Sequence, residues 1–414
     1  MSKRKPAQDP YVRRRNADIK KLVGRGELLV EKGYGGGYLY RPRELLISAR
    51  DERRLEPHLR ELGARPDDKT NRELVRRRLD LRRWLLPDGR PLPEAVERLR
   101  RTDPENPPVV GPNHMLGSEP RVDWGGGGAP QEAPPLAPSY GKAPAEKALI
   151  GMLDTGVATD TAALHAELFA SLLPLSAHDM DVLDDDGDGF LDSGGGHGTF
   201  ILGILHQLAP ELRLDVERVL GTHGFGDDLS VALGMGDVTG RVVNLSFGGY
   251  THDNMEPPGM RAALTAAGTD VVFVASAGNH ELTDPCWPAA FPEVVAVAAL
   301  DTRTEPIAPA PFTNRGEWVD VCAPGVDIHS TYVKHIWPAQ GSEQPLPFSG
   351  YAKWSGTSFA APQVAAAIAL LVRDKNLSPR DAADLFVAGL SPLPAHPELG
   401  GVYLPPLDLV YRGS

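Results

Sequence analysis

The sequence predicts an α/β protein with a central, mostly parallel β-sheet, preceded by a small α+β N-terminal domain. Three observations carry this. From residue 148 onward, apolar runs of strand length (ALIGMLD, LRLDVERVL, VVNLSFG, VVFVASAGN, VVAVAAL) alternate with helical stretches. Continuous apolar runs suit strands covered on both faces, hence a parallel sheet between helices. Before residue 116 the apolar segments are fewer and embedded in charge, and the Pro- and Gly-rich stretch 116–147 separates the two regions.

The expected organisation is a basic tail over 1–23, a small α+β domain over 24–115, a linker over 116–147, a main domain over 148–392 and a C-terminal extension over 393–414. Within 24–115, GELLVEK and RELLISA have strand length and flank the turn-rich KGYGGGY. ARDERRLEPHLRELG puts Leu55, Leu59 and Leu62 on one helical face and stops at Gly63. Further helices are predicted around Asn71–Leu86 and Pro93–Arg101, and the apolar PPVVGPNHML closes the unit. The linker reads as a spacer or as a segment open to proteolysis.

At 414 residues and 41% hydrophobic content the chain can bury a large core. Its net charge of −12 is uneven: residues 1–110 carry 28 Lys+Arg against 18 Asp+Glu, the remainder 15 against 37. Opposite charges favour docking of the first region on the second. Without stacking aromatics or a zinc pattern, the basic region does not point to nucleic acid. No apolar h-region follows the basic start and no run reaches membrane-spanning length, so a cytoplasmic location and no membrane partner are expected. Cys286 and Cys322 are expected to be reduced thiols.

Four anchors in the main domain carry chemistry. ALIGMLD ends on Asp154, where a strand-end carboxylate serves as metal ligand, cap or histidine partner. In GGGHGTFILGIL, His197 opens an apolar helical run. VVFVASAGNH ends at Asn279, either a turn residue or an amide donor to an oxyanion. In GTSFAAP, Ser358 leads into the helix VAAAIALLV, where unpaired N–H groups and the helix dipole favour negative charge. Together they have one economical interpretation: Ser358 as nucleophile, His197 as base, Asp154 orienting the imidazole, and Asn279 with the Ser358 N–H binding the oxyanion.

These motifs, DTGV at 154–157, HGT at 197–199, AGN at 277–279 and GTSFAAP at 356–362, resemble those of the subtilisin-like serine proteases, or subtilases, in their order along about residues 148–373. The resemblance implies a subtilisin-like three-layer fold, a serine endopeptidase acting on peptide or protein substrates through an acyl-enzyme, and no organic cofactor. It also implies extended substrate pairing along Leu245, Ser246, Phe247 and Gly248 and along Ser276, Ala277 and Gly278, and a prosegment role for residues 24–115 that assists folding or blocks the cleft; the other reading of that segment is an accessory module that binds a partner and brings substrates. Three departures stand out. Phe359 replaces a common Met and is expected to narrow the leaving-group side, while Phe200 and Gln363 stand where histidines are common. The rival readings are a binding or scaffold protein on an inactive protease fold, and a hydrolase or transferase of a non-protein acyl group.

Between the first two anchors, DDDGDGFLD alternates carboxylates at Asp184, Asp186 and Asp188, with Asp192 beyond. Such spacing suits a hard cation such as Ca2+, although the closing Glu of an EF-hand is absent; the other reading is a solvated acidic turn.

Overall fold

The computed structural model describes residues 10–31, 37–118, 128–136, 148–338 and 344–411. Its first element, α1 (Pro10–Gly24), lies where the sequence suggested a basic tail. Ile19 and Leu22 interrupt the charges of this helix and bury with Leu28, Leu39, Met115 and Phe225, so apolar docking orders the segment.

The α+β unit follows as β1 (Tyr38–Ile47), α2 (Ala49–Glu61), β2 (Arg82–Leu85), α3 (Leu92–Arg100) and β3 (Val110–Gly117). Leu55, Leu59 and Leu62 bury on the face their spacing predicts. The helix expected over 71–86 is corrected: it occupies Asp68–Arg76, and RRWL forms β2 instead, paired antiparallel with β1. Trp84 points into the core while its indole N–H donates to Glu52. This is a strand's in-out alternation, which the flanking arginines masked.

The body runs β4 (Ala148–Asp154), α4 (His197–Leu208), β5 (Arg213–Arg218), β6 (Phe225–Asp227), β7 (Val242–Leu245), β8 (Val272–Ser276), β9 (Val294–Asp301), β10 (Val321–Pro324) and α5 (Thr357–Lys375). The central sheet has the order β5-β4-β7-β8-β9-β10, then Gly401–Val402, and these neighbours all pair in parallel. Alternate residues face opposite layers. Ile150, Met152, Val242 and Val274 pack with α4 and α5. Leu153, Val243, Leu245 and Phe273 pack with the helices Asp228–Asp237 and Pro258–Ala267.

Two segments read as connecting or terminal chain take part in sheets. Gln131–Glu132, inside the expected linker, pairs with Tyr351–Trp354, and the Trp354 indole donates to the Gly128 carbonyl. Gly401–Val402, inside the expected extension, closes the central sheet. Local composition hid both because their pairing partners are distant in sequence. The smaller sheet crosses the junction between the two units: its order is β6-β3-β1-β2-(Arg65–Pro66), with Leu29–Glu31 on β1.

Candidate active site

Asp154 is the last residue of β4, at the carboxyl end where open parallel sheets gather ligands. The Thr155 N–H donates to Asp154 Oδ1 at 2.8 Å, and His197 Nδ1 lies 2.7 Å from the same oxygen. Both side chains are buried. His197 is the first residue of α4, and Gly196 before it has φ 79°, where a Cβ would meet the Tyr332 ring at 2.8 Å. Glycine is required there, and it delivers the imidazole to the sheet edge.

A support that sequence reading missed lies behind this pair. Asp181 is buried and accepts the Gly196 N–H at 2.8 Å and the Thr155 hydroxyl at 3.0 Å, while Thr155 Oγ1 accepts the Gly198 N–H. Burial pushes the Asp181 carboxyl up to about 7, opposed by those donors. One carboxyl thereby ties the turn after Asp154 to the turn before His197. Its only sequence signal is an Asp in DMD, indistinguishable from surface acid.

Ser358 is the second residue of α5, and its Oγ donates to the Ser246 carbonyl at 3.1 Å. In return Ser246 Oγ donates to the Ser358 carbonyl at 2.7 Å and accepts from Asn244. The rings on either side of Ser358 in sequence bracket His197: Trp354 at 5.5 Å between centroids and Phe359 at 5.6 Å. Asn279 Oδ1 accepts the Thr357 N–H at 2.8 Å and its hydroxyl at 2.9 Å. The amide nitrogen then lies beside Gly356, 3.4 Å from where a Cβ would stand. Asn314, also missed, holds the turn carrying Asn279 by accepting from the His280 and Leu282 N–H groups and donating to the Ala277 carbonyl.

The three departures fall in the interior. Phe359 is 2% exposed and packs at a tilt against the rings of Phe200 at 4.6 Å and Trp354 at 5.2 Å, so it fills core behind the histidine; the expected narrowing of the leaving-group side is corrected. Gln363 is buried and donates to the Pro324 and Phe359 carbonyls.

The expected substrate segments end neighbouring strands, with Leu245 opposite Ala275. Ser246, Ser276, Ala277 and the Phe247 ring are buried. Gly248, by contrast, is paired: its N–H donates to the Gly117 carbonyl at 2.9 Å and its carbonyl accepts the Gly117 N–H at 2.8 Å. The Ser118 N–H donates to Gly224, and β6 pairs along β3. The end of β3 therefore lies as an added strand on the expected substrate edge.

In the acidic loop, oxygens of Asp184, Asp186 and Asp188 come within 4.8 Å of one another. Asp184 accepts N–H groups of Gly187, Asp188 and Gly189. Two cations of α1 face this loop, Lys21 at 2.5 Å from Asp186 and Arg14 at 3.4 Å from Asp188. Asp192 groups elsewhere: it is buried beside Asp18, with the half-buried His223. Other ion pairs join the two units, Arg41 with Asp227 and Arg77 with Asp237. Among the described residues no helix is long and apolar enough to cross a membrane, and both cysteines are free and buried.

The family model described as the subtilase family matches residues 145–390. Subtilisin BL of Lederbergia lenta is 32% identical over 242 residues, covering 55% of this chain and 77% of that protein. Thermitase of Thermoactinomyces vulgaris is 32% identical over 238 residues, covering 54% and 74% respectively. Among solved structures, fervidolysin from Fervidobacterium pennivorans, described as a keratinolytic enzyme related to subtilisin, aligns with a TM-score of 0.59 at 19% identity, covering 91% of this chain and 61% of that one. That likeness bears on the fold alone.

Proposed function

The chain belongs to the subtilase family, which makes it a serine endopeptidase, and we propose that Asp154, His197 and Ser358 carry the reaction while the N-terminal unit holds the cleft shut. Ser358 Oγ attacks the scissile carbonyl as its proton passes to His197 Nε2, and Asp154 holds the Nδ1 proton and stabilises the imidazolium that forms. The amide of Asn279 and the N–H of Ser358, at the first turn of α5, donate to the oxyanion. His197 then protonates the leaving amine, and water releases the acyl group by the same steps in reverse. The observation that carries this is the buried 2.7 Å contact of His197 Nδ1 with Asp154, with the rings flanking Ser358 packed against the imidazole. A fluorophosphonate probe should label the protein at Ser358, and Ser358→Ala should lose both labelling and peptide hydrolysis. Labelling retained in the alanine variant would overturn the assignment.

The blocking role rests on Gly117 pairing with Gly248, the geometry of strand addition that a peptide substrate would use. Charge complementarity across the junction supports it, through Arg41, Arg77, Arg14 and Lys21. No organic cofactor takes part. Asp184, Asp186 and Asp188 would hold a Ca2+-class ion when Lys21 withdraws, fixing the loop that precedes α4.

A further inference from the structure

Where α1 meets the body, three side chains converge that the peptide-bond chemistry does not use. Asp18, from α1, is fully buried, and neither carboxylate oxygen has a hydrogen-bond partner. Asp192 is equally enclosed, and the Nδ1 of His223, also buried, lacks a hydrogen-bond partner. His223 Nδ1 lies 3.5 Å from Asp18 Oδ2 and 3.7 Å from Asp192 Oδ1, and one oxygen or nitrogen of each residue falls within 4.8 Å of the other two.

We propose that Asp18, Asp192 and His223 form a transition-metal site, of the class that takes Zn2+, stapling the N-terminal helix to the body. Charge is the first argument. Two enclosed carboxylates meet one guanidinium, Arg14, which donates to Asp192 Oδ1 at 3.1 Å and comes no nearer than 3.9 Å to Asp18. The second enclosed carboxylate calls for a further cation, which either a proton on His223 or a metal ion held between the three side chains supplies. Separation is the second. Distances of 3.5 and 3.7 Å are too long for N–H···O bonds. They are close to the edge of a tetrahedron, about 3.4 Å, drawn by ligand atoms about 2.1 Å from a common ion. The donor set is the third, since one imidazole and two carboxylates suit zinc. Surrounding bonds already orient the ligands: Asp192 Oδ2 accepts the Asp185 N–H at 2.9 Å and the Thr222 hydroxyl at 3.2 Å.

None of the three is Asp154, His197 or Ser358, and two of the ligands come from the body and one from α1. Metal binding therefore couples to helix docking. Zn2+ is titrated calorimetrically into the full-length Ser358→Ala protein, with about 1 mM Ca2+ present to saturate hard-cation loops, and Co2+ absorption is recorded in parallel. One equivalent should bind, cobalt should give visible bands of low coordination number, and hydrogen exchange over residues 10–24 should slow. In that background His223→Gln and, separately, Asp18→Asn should weaken binding by about 100-fold or more, while His252→Gln, at a second His-carboxylate group, should leave it unchanged. Absence of binding, or binding that both variants retain while folded, overturns the site, as does metal that fails to protect residues 10–24.

Discussion

Substituting Gly117 tests whether the N-terminal unit blocks the cleft, because that residue makes both hydrogen bonds to Gly248. A Cβ at Gly117 would stand 2.8 Å from the Gly224 carbonyl oxygen and 2.9 Å from the Phe225 ring. The ring can turn; the carbonyl belongs to backbone and cannot yield without moving the strand. In Gly117→Val the two bonds at 2.8 and 2.9 Å are lost, at about 1 kcal/mol net each. Overlap adds about 1–3 kcal/mol. The sum, about 3–5 kcal/mol, shifts the ratio of open to blocked cleft by roughly 10²–10⁴-fold. Initial rates on a chromogenic peptide with freshly purified full-length protein should rise by a measurable part of that factor over wild type, with Gly117→Val/Ser358→Ala as blank. If the variant keeps its far-ultraviolet circular dichroism and its rate does not rise, β3 does not block the substrate edge.

Asn279→Ala should lower kcat by about 10²–10³-fold with little change in KM, as expected for a donor used mainly in the transition state; an unchanged kcat would remove Asn279 from the oxyanion site. The Asp181 carboxyl, pushed up to about 7 by burial, binds its proton more tightly folded than unfolded. Its contribution to stability is therefore present at low pH and lost as pH rises from about 4 to about 7. Thermal melts across that window should show a shallower decline in Asp181→Asn than in wild type, and parallel curves would refute the raised carboxyl. Burial pushes the Cys322 thiol up to about 12, so a thiol reagent should reach it only after denaturation; rapid reaction in the native protein would contradict its enclosure. Lys21→Met removes the cation facing Asp186 and should increase the rise in Tm that Ca2+ produces, with equal shifts arguing against a cation site on that loop.

The parallel sheet and the four anchors were legible because their signals are local. Strands covered on both faces read as unbroken apolar runs, and Asp154, His197, Asn279 and Ser358 each sit where a strand ends or a helix starts, in motifs of small residues. Asp181 and Asn314 were not legible, since each acts by bonding to backbone far away in sequence. Phe359 looked like a change at the cleft and proved to be core, because its direction depends on Phe200 and Trp354.

The sequence by itself determined the class of sheet, the order along the chain of the groups proposed to react and the charge contrast between its two regions. Tertiary structure decided where Asp192 belongs, that residues 10–24 form a docked helix, and that Gly117 lies on Gly248. Composition and periodicity report what one segment prefers; these three depend on which distant segment supplies the neutralising charge, the apolar cover or the facing hydrogen-bond edge, and that is fixed only when the chain packs.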